Sequence, residues 1–378
     1  MGYSLGLQNC AIADSKGNLP NIYIKSFSFV EDLDKMYTGA KVILKDISTA
    51  LLNSLSIGQE VNFNLKRSGD ITYVNPMRIL SIVPVTENKK FVNELEITLI
   101  SKWYFDNIAD SAVHTGTFGG IVKKICEKYK SIIGSYDIEE TEDPSRIRYQ
   151  TKERTQDFMK RMIPFGTLQK LPVYLYSDFR GYLNLRGLAT FANASPKYAF
   201  LPDLVAKREE VSTSAIKEKG MIPLRLNDYH TLISLQDSNS KGNVSFSTSN
   251  FFSTSKITSS AILSNAENSN AKVLTKTPYS YICKNWSYLP QDALTQSIYE
   301  YFQKNLYSFS VTGTLMGMNL DTIQLGDKVR VLLPSDTTSI TDLLTSSTSP
   351  NYIITHIERK FSQKEEWCNF MGVLVNYG

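Results

Sequence analysis

Residues 322–334 read TIQLGDKVRVLLP. The apolar run halts at Leu325-Gly326-Asp327 and restarts at Lys328, the pattern of a tight glycine turn leading into a strand. After a Ser/Thr-rich gap come YIITHIERKF (residues 352–361) and, beyond QKEE, WCNFMGVLVNY (residues 367–377). Both runs are rich in β-branched and aromatic residues and read as a pair of strands around a polar turn. The same skeleton occurs near the start of the chain, where residues 55–65 read LSIGQEVNFNL. In both places an aliphatic residue precedes glycine, two polar residues follow it, and a valine (Val61 or Val329) opens an alternating strand. Two more strands follow each turn: residues 78–85 and 91–100 in the first copy, 352–361 and 367–375 in the second. We read one β-unit used twice, with Gly58, Gln59, Gly326 and Asp327 as its structural turns.

Working outward, a chain of 378 residues is long enough for two or three domains. A net charge of +4 is small for that length and argues against a dedicated nucleic-acid binder, which concentrates Lys and Arg on one face. The 21 tyrosines and 18 phenylalanines favour a β-rich protein. Cys10, Cys126, Cys283 and Cys368 are far apart and form no C-x-x-C pair, so free thiols are expected. The N-terminus lacks a basic region followed by a long apolar run, and no stretch reaches 18 apolar residues, so neither a signal peptide nor membrane insertion is expected.

The expected fold class is mainly β with α+β inserts: two similar tube-like antiparallel β-barrel domains plus a small α+β insert domain. Residues 1–20 form an N-terminal arm, and residues 21–102 the first barrel domain. Strands are expected at 21–30, 37–44, 61–65, 71–74, 78–85 and 91–100, with a short helix at 45–54 capped by Asp46 and a hairpin tip at 67–70. The pattern changes at Ser101. Thr117 caps a helix whose Phe118, Ile121, Val122, Ile125 and Tyr129 share a face, and a second amphipathic helix covers residues 154–165. Residues 171–186 then read as two strands around a turn at 178–181. This is the α+β insert, residues 103–200. The second barrel domain is discontinuous, residues 201–235 with 307–378. Between them lies an insert at 236–306. Its Ser/Asn-rich part, 236–277, is too polar to bury much surface and reads as a loop, and a helix is expected over 291–306.

Catalytic signals are scarce. His114, His230 and His356 sit on separate elements with no metal-ligand spacing, and His356 reads as a sheet-face residue. No Gly-x-Ser-x-Gly elbow is present. Gly116-Thr117-Phe118-Gly119-Gly120 precedes a helix but lacks the spacing of a phosphate loop and reads as a glycine-rich helix start. The acidic run Asp137, Glu139, Glu140, Glu142 and Asp143 lacks the calcium-loop pattern and reads as a solvated loop. Lys123, Lys124, Lys128 and Lys130 read as the polar face of the first insert helix. No enzyme, cofactor or metal is expected.

Three features together resemble a known family. They are the closing run from Gly326-Asp327-Lys328-Val329 through Tyr352–Phe361, the insert helix that delivers the chain into Val173-Tyr174-Leu175-Tyr176 and Phe179-Arg180-Gly181-Tyr182, and the doubled β-unit itself. This layout resembles the central baseplate hub protein of tailed bacteriophages, as in the T-even phages. Related hub modules begin the VgrG proteins of type VI secretion and the tail-associated proteins of non-contractile tails. The resemblance implies a homotrimer in which two barrel domains per subunit give a pseudo-six-fold ring. That ring would join the six-fold tail tube protein to a three-fold tail spike protein, with baseplate wedge proteins around it and a tape-measure protein as a further possible partner. DNA would pass through the lumen without specific binding. The protein would be a virion component of the tail baseplate, assembled in the host cytoplasm. The alternatives are a hub module of a type VI or tail-tip spike, which the close at Gly378 without spike repeats disfavours, a cell-wall hydrolase, and a carbohydrate-binding module suggested by the aromatics.

Overall fold

Alternating apolar residues make the first six strands. In the computed structural model they are β1 (Cys10–Asp14), β2 (Tyr23–Asp32), β3 (Gly39–Lys45), β4 (Glu60–Lys66), β5 (Thr72–Glu87) and β6 (Lys90–Ser101). The structure describes residues 10–14, 23–45, 53, 55–66, 72–87, 90–106, 108–169, 171–202, 221–228, 245–249, 254–258, 280–282, 299, 310–316, 323–332, 350–362 and 366–377. These strands pair antiparallel in the order β1-β4-β5-β6-β3-β2 and curve around Phe27, Phe29, Val42, Leu44, Met77, Ile79, Ile97 and Leu99. The runs 71–74 and 78–85, read from sequence as two strands, are one strand. β5 continues through Pro76 and Pro84, with register shifts between Ile79 and Ser81 and between Pro84 and Thr86. Bulges let a strand bend without ending. The expected helix at 45–54 and the hairpin tip at 67–70 fall outside the described residues, apart from Lys45 and Asn53.

The insert follows as α1 (Lys102–Phe105), β7 (Ala109–Gly116), α2 (Phe118–Lys128), α3 (Lys130–Ile133), β8 (Tyr136–Ile138), β9 (Arg146–Arg154), α4 (Thr155–Met162), β10 (Thr167–Leu168), β11 (Leu171–Ser177), β12 (Leu183–Gly187) and α5 (Leu188–Asn193). The Thr117 hydroxyl accepts from the Gly120 N–H, so α2 starts where its capping residue predicts. Every residue of β11 is buried. Val173 and Leu175 face the insert helices through Ile121, Phe158 and Met162, while Tyr174 and Tyr176 face the second barrel. A strand covered on both faces reads as an unbroken apolar run, which LPVYLYS nearly is.

The second unit comprises β13 (Tyr198–Pro202), β14 (Met221–Asp228), then after an excursion β18 (Ser310–Met316), β19 (Lys328–Val331), β20 (Pro350–Ser362) and β21 (Glu366–Tyr377). The excursion holds β15 (Ser245–Ser249), β16 (Thr254–Thr258) and β17 (Ser280–Ile282), which form their own three-stranded sheet. The Ser/Asn-rich stretch is therefore not loop throughout. Its SFSTS and TSKIT runs pair antiparallel, and such a ladder forms through backbone hydrogen bonds that need no apolar side chains. The helix expected at 291–306 falls outside the described residues, apart from Tyr299.

Strand order in the second unit is β20-β19-β13-β14-β18-β21, and a further β20–β21 pairing closes it into a barrel. β13 runs parallel to both β14 and β19, and the other pairings are antiparallel. The first unit is a half-barrel among the described residues. The two units share one continuous sheet, because β2 pairs with β20 from Ser26↔Ser362 to Asp32↔His356.

Candidate functional site

The two glycine turns have the same geometry. Gly58 has φ +83° and Gly326 has φ +82°, the left-handed region that glycine alone enters without strain. The Gln59 N–H donates to the Ser56 carbonyl at 3.1 Å, and the Asp327 N–H to the Gln324 carbonyl at 3.1 Å. Glycine at the third position of such a turn marks type II. The side chain that follows closes each turn from inside: Gln59 Oε1 accepts from the Ser56 N–H at 3.0 Å, and Asp327 Oδ2 from the Gln324 N–H at 2.9 Å. Each glycine N–H then donates to the next strand, Gly58 to the Ile79 carbonyl at 2.7 Å and Gly326 to the Ile354 carbonyl at 2.8 Å.

The match extends into the sheets. Gly39–Lys45 of β3 pairs with Ile100–Glu94 of β6 in seven steps, and Ser310–Met316 of β18 pairs with Val373–Trp367 of β21 in seven. β5 shifts register on β6 between Ile79 and Ser81, and β20 shifts on β21 at the matching place, between Ile354 and His356. A bulge inserts one residue at one point of a ladder, so two bulges at one equivalent point carry more information than a shared strand pattern.

The surroundings of the two turns differ. Phe191 of α5 lies so close to Gly326 that an added Cβ would meet its ring at 2.2 Å. Lys328 donates to the Ala192 carbonyl at 2.8 Å, and Lys197 pairs with Asp327 at 3.0 Å. Burial raises the Asp327 carboxyl above its ordinary value, against the lowering effect of the Gln324 N–H and Lys197. The end of the insert thus seals the second turn. At the first turn a Cβ on Gly58 would meet only the Phe105 ring, at 3.7 Å. Ile57 is 67% exposed there, whereas its counterpart Leu325 is 6% exposed. Arg78, Asp106, Glu60 and Lys102 form paired charges beside it. Gly58→Ala should therefore cost only left-handed strain, about 1–2 kcal/mol. Gly326→Ala adds overpacking of about 1–3 kcal/mol against Phe191. Urea unfolding of the two variants reads the difference, and equal losses would show that α5 is not tight on the second turn.

Where β2 meets β20, a buried charge cluster ties the two units to the insert. Glu31 of β2 is 1% exposed and Arg359 of β20 is 2% exposed. They form an ion pair, and Arg359 also donates to the Ile323 carbonyl at 2.5 Å. The other Glu31 oxygen accepts from the Phe179 N–H at 2.6 Å. Phe179 is the tip of the β11–β12 hairpin. Its carbonyl accepts from Asn75 of β5 at 3.1 Å, and its ring lies 5.1 Å from the Arg359 guanidinium. Sequence reasoning missed this cluster. The available signal was Arg359 sharing strand parity with Ile357 and Phe361, a charge on an apolar face.

No protein-family model and no curated protein matches the chain. Among solved structures, it is similar to the 43 kDa tail protein of prophage MuSo2 from Shewanella oneidensis, at TM-score 0.57 and 11% identity, over 96% of this chain and 97% of that one. It is also similar to a tail protein from Neisseria meningitidis MC58, at TM-score 0.55 and 11% identity, over 97% of this chain and 96% of that one. The chain has the fold of these tail proteins.

Within this fold the remaining described candidates have structural partners. His356 Nδ1 is 3.3 Å from Asp32 Oδ2 on the seam between the units. Burial raises the Asp32 carboxyl, but hydrogen bonds from His356 and the Asp34 N–H, with the charges of His356 and Lys35, leave it below its ordinary value. His114 stacks on Phe158 with ring centroids 4.8 Å apart and meets Gln150 at 3.1 Å. His230 is outside the described residues. The acidic run is only in part the solvated loop expected from its charge: Asp137, Glu140 and Glu142 are exposed, while Glu139 is half-buried and Asp143 buried. Asp143 is buried and accepts from the Phe118 N–H at 2.8 Å, and Thr141 accepts from the Gly119 N–H at 2.9 Å. A carboxylate beside the first N–H groups of a helix meets unpaired donors and the positive end of the dipole. The N-terminus of α2 is therefore filled by the chain's own side chains, where a phosphate would sit. Glu139 accepts from the Gly187 N–H at 2.8 Å and Asp137 pairs with Arg186, so the same run also holds β12.

Proposed function

We propose that the protein is a structural hub of a phage tail. Three copies associate, and their six similar β-units form a pseudo-six-fold ring. One side of the ring meets the six-fold tail tube and the other a three-fold spike, with baseplate proteins around it and a lumen through which DNA passes. The role is mechanical and involves no catalysis. The observation that carries this reading is the internal repeat, with equivalent turns, matched ladders and a bulge at the same step. A repeated unit within a three-fold oligomer is a direct way to present near-six-fold symmetry to one neighbour and three-fold symmetry to another. The fold shared with phage tail proteins supports the same reading.

Mass photometry of the purified chain tests it. The expected result is a particle of three chains of 42.6 kDa each, alone or with a spike protein. A stable monomer under both conditions would overturn the hub. Lysis of peptidoglycan by the purified chain would overturn the non-enzymatic part of the reading.

A further inference from the structure

We propose that the outer edge of β5, residues 81–87, is the docking site for strand β14 of a second copy of this chain, forming the seam between subunits. The inference rests on the hub reading and gives it a surface. Within one chain, β20 carries two strands in series along one edge: β19 on Asn351–Ile353 and β2 on His356–Ser362. β5 is the register counterpart of β20. Along the same edge it carries β4 on Thr72–Arg78 and, among the described residues, no strand on 81–87. Leu80 is 45% exposed and Val83 is 50% exposed, while the counterpart of Leu80, Thr355, is 2% exposed under the β2 connection. The Thr355 carbonyl there accepts from the Leu33 N–H at 2.9 Å.

The strand suited to this edge is identified by the same equivalence. β14 is to β18 as β2 is to β3. Leu226 faces Gly313 where Phe27 faces Val42; the bulges of the two pairings fall at different steps, before Phe27 in β2 and after Leu226 in β14. β13 covers β14 only from Met221 to Leu224, so on that side residues 225–228 have no ladder partner among the described residues. An unpaired edge of this kind is a template for another strand. The in-chain pairs Ser26↔Ser362, Phe27↔Phe361 and Ser28↔Lys360, counted from the shared bulge, place 225–228 of one copy against 85–87 of the next, just past a second register shift of β5 between Pro84 and Thr86 that β20 lacks. They set Arg225 of one copy opposite Glu87 of the next, Leu226 opposite Thr86, and Asp228 opposite Val85. Arg225 and Glu87 are of opposite charge, which favours this register. Pro84 contributes only its carbonyl, which weakens the ladder at one step and disfavours indiscriminate pairing at the same edge.

The test is disulfide trapping. With Thr86→Cys and Leu226→Cys on the same chain, mild oxidation should give covalent dimers and trimers that collapse on reduction. Each single variant should give none, and the two singles coexpressed should stop at dimers. Cys10 and Cys283 are changed to Ser in every variant, and the native Cys126 and Cys368, which are buried, serve as an internal control. Leu80→Asp supplies a second readout. The position is exposed in the isolated chain, so the variant should fold and melt as the parent does. It should also weaken association by about 100-fold or more, because its counterpart in the in-chain seam is buried and a charge there would be unpaired. A three-chain particle that neither cross-links nor responds to Leu80→Asp overturns the seam and leaves the hub reading standing. A parent chain that is monomeric overturns the hub reading itself.

Discussion

Arg359→Ala lowers the unfolding free energy by about 3–5 kcal/mol, the cost of leaving one buried charge without its partner. The side chain lies on the inward face of β20 between Ile357, 0% exposed, and Phe361, 5% exposed. Its guanidinium satisfies the Glu31 carboxylate and the Ile323 carbonyl together. Alanine removes both donors and leaves Glu31, itself 1% exposed, with the Phe179 N–H and no cation. The double change Glu31→Gln with Arg359→Met removes both charges and should recover part of the loss, because an isolated buried charge costs more than a buried pair replaced by neutral groups of similar size. Urea unfolding of parent, single and double variants measures all three. A single-variant loss below about 1 kcal/mol would mean that the pair is solvated, in the range of surface ion pairs.

Phe179→Ala should cost a comparable amount, about 3–5 kcal/mol, from lost burial and the cavity left behind. Phe179 belongs to the insert in sequence but to the first unit's core in space, packed with the cluster that includes Met77, Ile79 and Phe361. Its backbone is held from two strands, by Glu31 of β2 and Asn75 of β5. The truncation should therefore loosen the β11–β12 hairpin as well as the core. Limited proteolysis should cut near residues 178–182 in the variant before the parent. Phe179 and Arg359 are in contact, so the two losses should not add. A double-mutant cycle should give a coupling of about 0.5–3 kcal/mol, and simple additivity would show that the ring and the guanidinium act independently.

The duplication was legible in sequence because its signature is local. A turn of this type needs glycine at its third position, and in both copies, Gly58-Gln59 and Gly326-Asp327, an acceptor side chain follows at once. The alternating strands were legible for the same reason, since side-chain period follows from backbone geometry over a handful of residues. The capped helix α2 was legible through Thr117.

The rest depended on contacts between residues distant in the chain. The second unit closes because β13, arriving from the end of the insert, lies parallel between β14 and β19, and nothing in Tyr198–Pro202 alone announces that partner choice. Within the acidic run at 137–143, Thr141 and Asp143 read as solvent-facing until α2 is placed beside them with donors to satisfy. Glu31, Phe179 and Arg359 lie on three separate elements, and only the pairing of β2 with β20 and the hairpin tip against both makes them one cluster. The opening repeat was thus determined by sequence as a pair of similar units. That one copy is sealed by the insert while the other keeps an exposed turn, and among the described residues a β5 edge without a strand partner, was decided by tertiary structure, because burial depends on what the chain brings back from far away.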